Sequence, residues 1–315
     1  MVKTQRQQIW ILLLKAGVAS LLLGGLALYL HPVRLWEKLQ QLPAQTLWLA
    51  LTFSALGVIV QWVRWQRLLV SRRPQTPWKT GLHSLLICFG LGFLSPGRVG
   101  ELGRGILLGG EQSTWVGLTL VDRLCSASAG AFLGWVGLAM LYPLGAAAVL
   151  GLVVFGAGAG LLVWPRLKPR LHRWPWLGQV GTAVGQTRGR VWLQIYLWSI
   201  LFNLVFFCQF YLLLASWGPL PFDAIWGIPL FFGIKVFLPF GLMDLGVREG
   251  VAVAVFSQLQ LDPAVAFNAA FLQFAFNVLA PGLVGLFLLY RHAGRGLDSR
   301  AFRKGLGNFS IEARR

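Results

Sequence analysis

The chain has 315 residues, 56% of them hydrophobic and only 12% charged, and its mean hydropathy is +0.66. That composition excludes a water-soluble globule of ordinary make-up and, with it, a soluble enzyme. Twenty-eight lysines and arginines against 10 acidic residues give a formal charge of +18, which nucleic acid, an anionic membrane face or membrane topology must explain, and the positions of the charges decide among them.

In chain order, the first apolar run is Ile9 to Leu30, preceded by Lys3 and Arg6, and it is long enough to cross about 30 Å of hydrocarbon. It ends Leu28-Tyr29-Leu30-His31-Pro32, without a small-residue cleavage site, so a retained helix is expected rather than a signal peptide. Comparable runs occupy Ala44 to Val63, Ser113 to Leu141, Gly145 to Trp164, Val191 to Ser216 and Ala264 to Tyr290, giving about six spans of roughly 20 residues or more. Leu82 to Leu94 and Ala224 to Leu238 are shorter, in the size range of re-entrant segments. Each runs into a block of Pro, Gly and charge that cannot face lipid: Pro96-Gly97-Arg98-Val99-Gly100-Glu101-Leu102-Gly103-Arg104, and Pro239-Phe240-Gly241-Leu242-Met243-Asp244-Leu245-Gly246-Val247-Arg248-Glu249. Cys88, Cys125 and Cys208 lie far apart in apolar runs with no CxxC pair, so they read as small core residues and no metal site is expected.

The basic residues gather in the connections 64–80 (Arg64, Arg67, Arg72, Arg73, Lys79) and 165–190, and in the tail from Arg291. If each short run and its block enter and leave on one side, both connections, the N-terminus and the basic tail share a face, which the positive-inside rule makes cytoplasmic. Full double crossings would give the same parity. Trp10, Trp36, Trp48, Trp62, Trp78, Trp164, Trp192 and Tyr290 stand near run ends, as an interfacial belt requires. Topology therefore accounts for both the basic and the aromatic residues, and no nucleic-acid partner is expected.

Pro239 lies 143 residues after Pro96, and at that offset Glu101-Leu102-Gly103 falls on Asp244-Leu245-Gly246, with Arg104 and Arg248 following. Each half reads span, span, short run, charged block, span. Three crossings per half would invert the second, so residues 9–141 and 144–290 are expected to be inverted repeats within a single membrane domain, 1–315, followed by a basic cytoplasmic tail, 291–315.

Interrupted segments at matching positions point to a midplane binding site. A helix is expected to start at Pro96, with Ser95 as its cap, and another near Pro239, each presenting free N–H groups and a positive dipole end. Arg98, Arg104, Arg123 and Arg248 offer forked donors suited to phosphate, and Glu101, Asp122, Asp244 and Glu249 are expected to pair with them or to meet a cationic headgroup. The same pairs would serve equally to lock helices together. Lys235 could snorkel or join the cavity. His83, Asn203, Gln209, Asn268, Gln273 and Asn277 read first as interhelical hydrogen-bonders, and Gly156 and Gly160 as a packing contact. No GxSxG, P-loop or HExxH pattern appears, so neither covalent catalysis, nucleotide-driven transport nor a cofactor is expected.

Pro96-Gly97-Arg98-Val99-Gly100-Glu101-x-x-Arg104, then Val121-Asp122-Arg123-Leu124, then Pro239-x-Gly241 leading into Gly246-Val247-Arg248-Glu249, resemble the lysylphosphatidylglycerol synthase transmembrane region, also called the flippase-like membrane family. The resemblance covers nearly the whole chain, and the order and spacing of the motifs carry it. It implies lipid translocation of a phospholipid or a polyprenyl-phosphate-linked lipid across the inner membrane. Arg315 follows soon after the last apolar run, so the expectation is translocation without a synthase domain. Leu242-Met243-Asp244 stands where relatives usually show a Gly-Gly stretch.

The expectation is thus an all-α polytopic protein with about six full spans and two re-entrant hairpins, binding an anionic or zwitterionic lipid headgroup in a polar cavity. A homo-oligomer stays open. Two rivals remain: an intramembrane lipid-modifying enzyme with Glu101 or Asp244 as general base, and a scaffold that transports nothing.

Overall fold

The computed structural model describes residues 17, 20–105, 108, 112–150, 152–153, 189–238 and 245–294. Most of the expected span Gly145–Trp164, most of the connection 165–190, Gly156, Gly160, Pro239–Asp244 and the tail beyond Gly294 lie outside the described residues.

Every regular element among the described residues is helical. They are α1 (Ser20–Tyr29), α2 (Pro32–Gln40), α3 (Ala44–Arg72), α4 (Trp78–Leu94), a 3-10 helix (Pro96–Gly105), α5 (Gln112–Leu141), α6 (Gly189–Ala215), α7 (Phe222–Phe237), α8 (Val247–Gln258) and α9 (Pro263–Phe274). A π-helical turn at Ala275–Leu279 carries α9 into α10 (Ala280–Gly294). Among the described residues, four continuous helices are long and apolar enough to cross a membrane: Ala44–Arg72, Thr114–Leu141, Gly189–Ala215 and Pro263–Arg291. Of the two other expected spans, only Gly17 and the residues from Ser20 of the first, and part of Gly145–Val153 of the second, are described.

Local chemistry sets the boundaries. Pro32 and Pro263 occupy first-turn positions, where the missing N–H costs nothing, and the Asp262 carboxylate caps α9 by accepting from the Ala264 N–H at 2.9 Å. Helix α4 starts four residues before the apolar run at Leu82, because the N–H groups of Thr80 and Gly81 bond back to the Pro77 carbonyl whatever their polarity. Helix α3 continues nine residues past Val63, the expected end of its run, and stops ahead of Arg73-Pro74, where the residue before proline leaves the helical region. The π turn precedes Pro281, which has no N–H to return to the carbonyl one turn back.

The first charged block departs from expectation. Pro96 opens a 3-10 helix, not an α-helix. Its glycines favour helix weakly, and at Gly100 a side chain would run into the Leu91 carbonyl, so the segment folds back against the end of α4. Ser95 does not cap its first turn; its Oγ instead accepts from the Gly100 N–H, halfway along the segment, at 2.6 Å. The second block resumes at Leu245, and Gly246 adopts φ 80° before α8 begins at Val247.

Three antiparallel pairings build the bundle: α3 with α6, α4 with α10, and α5 with α7. Two of them are backbone contacts. A Cβ on Gly90 of α4 would stand 2.6 Å from the Gly285 carbonyl carbon of α10, and one on Gly233 of α7 would stand 2.6 Å from Gly134 Cα of α5. The antiparallel order sets Arg72, Arg190 and Arg291 at one end of the bundle, with Asp223 and Asp262 at the other. The rings of Phe210, Phe231, Phe232 and Phe256 fill the core between α6, α7 and α8, Phe210 stacked on Phe231, edge-on to Phe232 and tilted against Phe256. On the outside, Leu193, Leu197, Leu201 and Leu204 form an exposed stripe along α6, and Leu283, Val284 and Phe287 another along α10. In water such stripes would drive aggregation; in hydrocarbon they face a solvent of their own kind.

Gly90→Val and Gly233→Val should each force a backbone pair apart and lower stability by about 1–3 kcal/mol. Gly250→Ala, with no described atom within 4 Å of its added carbon, should not. Thermal unfolding of the purified variants in detergent checks this.

Candidate functional site

Where α3, α5 and the 3-10 helix meet, they bury a network of three guanidiniums and two carboxylates. Asp122 of α5 is its hub. Asp122 Oδ2 accepts from Arg104 Nη1 at 2.8 Å and from Arg64 Nη2 at 3.1 Å, while Oδ1 lies 2.5 Å from Arg64 Nε. Arg64 thus hydrogen-bonds one carboxylate oxygen through Nη2 and sets its Nε beside the other as an ion pair. Its third nitrogen, Nη1, donates to Ser199 Oγ of α6 at 3.0 Å.

Glu101 links the two remaining arginines. Three residues make one turn of a 3-10 helix, so Glu101 and Arg104 eclipse one another and Arg104 Nη2 lies 3.7 Å from Glu101 Oε2. Arg123, next to the hub on α5, also pairs through Nη2 with Glu101 Oε2. Aromatic faces close the network on two sides: the Arg104 guanidinium is 5.2 Å from the centre of a Trp65 ring and that of Arg64 5.5 Å from Phe202. The Trp65 indole is itself fixed by donating from Nε1 to Ser84 Oγ at 2.8 Å.

Burial divides the members. The side chains of Arg64, Arg104, Glu101 and Asp122 are at most 3% exposed, whereas Arg123 is 37% exposed. With three positive groups against two negative ones, the described network keeps a surplus positive charge, and its accessible member is an arginine.

Of the residues singled out in the sequence, the fold therefore brings Glu101, Arg104, Asp122 and Arg123 into one site. The Arg98 side chain and Asp244 lie outside the described residues. Arg248 and Glu249 are buried at the start of α8. Glu249 accepts from the Gly246 N–H at 2.7 Å and so caps its own helix, and the Arg248 guanidinium stands 5.4 Å from the centre of Phe274. Phe274 shares an apolar cluster with Phe93, near the end of α4, so the two charged blocks approach a common wall.

Arg64 is the member that the sequence reading misplaced, as part of a basic loop. The signal was there: Trp65, Leu68 and Leu69 continue a buried face with helical spacing and carry α3 through Arg64 to Arg72. Several other polar residues are cross-links between helices. Gln209 donates to the Ala50 carbonyl, Asn268 to that of Leu35 and Gln273 to that of Phe206, and Asn277 donates to Gln209 Oε1 at 2.6 Å. Asn203 instead donates to Ser199 within α6, His83 is exposed, and Lys235 is half-buried with its ammonium 5.8 Å from the Phe232 ring centre. Cys88 and Cys125 are buried as expected, but Cys208 is exposed.

The family model described as the lysylphosphatidylglycerol synthase TM region matches residues 12–285. No curated protein and no solved structure gives a match. The match and the four long apolar helices together make the chain a multi-pass membrane protein.

Removing one partner from a buried ion pair leaves a charge without compensation, at a cost of about 3–5 kcal/mol. Asp122→Asn and Arg64→Gln should each lower the thermal unfolding midpoint sharply. The double variant should cost less than the two together, because Arg64 is no longer left without its carboxylate, although Arg104 then keeps only Glu101. Arg123→Gln, at the exposed rim, should cost far less than either single change.

Proposed function

The chain belongs to the lysylphosphatidylglycerol synthase TM region family, and from that membership we propose that it moves a lipid between membrane leaflets, with the headgroup at the Arg123 face of the buried network and the tails left in hydrocarbon. The observation that carries this reading is the division of burial: four charged side chains held out of reach and one arginine, already braced against Glu101, left at the surface. In this reading Arg123 meets the phosphate of a phospholipid or of a polyprenyl-phosphate-linked lipid. Arg104, Arg64 and Asp122 hold the surplus positive charge in place. The Arg98 side chain and Asp244 complete the two blocks, and Arg248 and Glu249 form the second polar wedge. The lipid leaves chemically unchanged, and its movement is downhill or ion-coupled.

Two inverted repeats support an alternating path. Gly233 follows Gly90 by 143 residues, the offset of the charged blocks, and Gly285 follows Gly134 by 151, the distance between the starts of two apolar runs at Ser113 and Ala264. A twofold exchange of halves therefore converts the α4–α10 contact into the α7–α5 contact. With 17 and 16 residues, α4 and α7 are short of the roughly 20 needed to span, in keeping with two re-entrant hairpins.

The gathering of Arg72, Arg190 and Arg291 at one end supports an inner-membrane orientation with both termini cytoplasmic. At that end a cavity of about 510 Å³, lined by Arg72, Arg73, Gln75, Thr76 and Thr80 among others, offers an anionic headgroup a first stop. Arg73 ties it to the charged hairpin by donating to the Leu108 carbonyl at 2.6 Å.

Reconstituted into vesicles with a headgroup-labelled phospholipid, the protein should expose inner-leaflet label to a membrane-impermeant quencher, and mass spectrometry should recover the lipid unaltered. Arg123→Gln should fold and slow this exposure at least tenfold, equivalent to about 1.4 kcal/mol on the barrier. Normal exposure in that variant would remove the headgroup role, and a chemically altered lipid would favour the enzyme reading.

A further inference from the structure

Glu101, Asp122 and Glu249 are the buried acids among the described residues. The first two are held in ion pairs with Arg64, Arg104 and Arg123. Glu249 is 0% exposed, yet among the described residues no ion pair reaches its carboxylate. Its Oε2 accepts from the Gly246 N–H at 2.7 Å, while its Oε1 is buried with no hydrogen-bond partner among the described residues.

A carboxylate withdrawn from water with one oxygen idle is high in free energy, and a proton on that oxygen relieves it. Other groups act the opposite way. Arg248, next to it on α8, and Lys235, in the last turn of α7, both bring positive charge to bear on Glu249. As the third residue of α8 it also sits at the positive end of the helix dipole. Helix α9, which packs against α8 as α7 does, carries no ionisable residue. Asp223, the other ionisable group of α7, is exposed at the far end of that helix, and Asp244 lies outside the described residues. Burial thus favours the neutral carboxyl and the cations favour the charged one, a balance that lets a group change state.

The state of Glu249 sets the charge of its surroundings. Ionised, it offsets Arg248; protonated, it leaves the Arg248 guanidinium uncompensated by its neighbour on the face of Phe274. Phe274 shares a cluster with Phe93, so the charge changes beside the wall common to both blocks, where a more positive site attracts phosphate more strongly.

We propose that Glu249 is a proton-binding site, taking one proton at Oε1 and releasing it again, and that this proton is the ion coupled to lipid movement. The proton comes from water and returns to it, and no bond of the lipid is made or broken. A proton needs no preformed cavity, and Oε2 keeps its bond to Gly246 in both states. The coupling rests on the transport reading; the proton site does not.

Glu249→Gln keeps the cap, since an amide oxygen accepts from the same N–H, and holds the site in its neutral form. Infrared difference spectra of the full chain in an ester-free detergent, taken as the pH is stepped from acidic to alkaline, should show the loss of a carboxyl C=O band from a dry site. That band should be absent in Glu249→Gln, shifted in its pH dependence in Glu249→Asp, and retained in Asp223→Asn and Asp244→Asn. In vesicles, an imposed pH gradient should speed exposure of the headgroup label several-fold, and in Glu249→Gln the ratio of rates with and without the gradient should fall to unity. A band that persists in Glu249→Gln, or vanishes in Asp244→Asn instead, would overturn the proton site. A wild-type ratio of unity, or a ratio above unity in Glu249→Gln, would overturn the coupling. Label exposure that ignores the gradient still leaves the lipid reading standing, and normal exposure in Arg123→Gln leaves the titration of Glu249 standing.

Discussion

The rest of the structure depends on the burial of Asp122 between two arginines. A guanidinium at membrane depth costs about 2.5–3.5 kcal/mol even on the lenient insertion scale, so Arg64 and Arg104 are tolerable there only while one carboxylate serves both. That requirement locks the register of α3 against α5 and pulls the 3-10 helix inward to reach the same oxygen. Trp65, adjacent to Arg64 in sequence, then becomes the floor under Arg104. A shift of one turn in any of the three elements would strand a charge, which is why a polar network in an oily molecule specifies geometry more strictly than apolar packing does.

Around this anchor the two halves divide their tasks. Gln273 and Phe274 lie 151 residues after Asp122 and Arg123. Gln273 donates to a helix carbonyl, and Phe274 carries Arg248 on its face. The second half also joins Gln209 to Asn277 by a neutral amide pair. Amides hold helices together without the desolvation penalty of ions. The buried ion pairs thus gather on α3, α5 and the 3-10 helix, whereas Arg248 and Glu249 are held by an aromatic face and a helix cap.

How much was legible beforehand varies with the range of the physics. The long spans followed from runs of apolar residues, since a helix needs about 20 of them to cross hydrocarbon. The end of α3 did not: the run was closed at Val63 because Arg64 is charged, yet that charge is neutralised by a residue 58 positions away. Pro96 announced a helix start but not its 3-10 form, which follows from how closely Gly100 must approach α4. Glu101 was expected to pair with an arginine, and the threefold turn of the 3-10 helix brings it onto Arg104. Cys208 was read as a core residue from its apolar neighbours, but its side of α6 faces outward.

By itself the sequence determined that this is a helical membrane protein and where its basic stretches and charged blocks lie along the chain. These depend on sums over neighbouring residues, and a sum can be taken along the chain. Only the tertiary structure decided that Arg64 joins the network and that Arg123 is its accessible member. Those depend on the distance between residues as far apart as Arg64 and Ser199, 135 positions along the chain, and electrostatic pairing falls off over a few ångströms of space rather than of sequence.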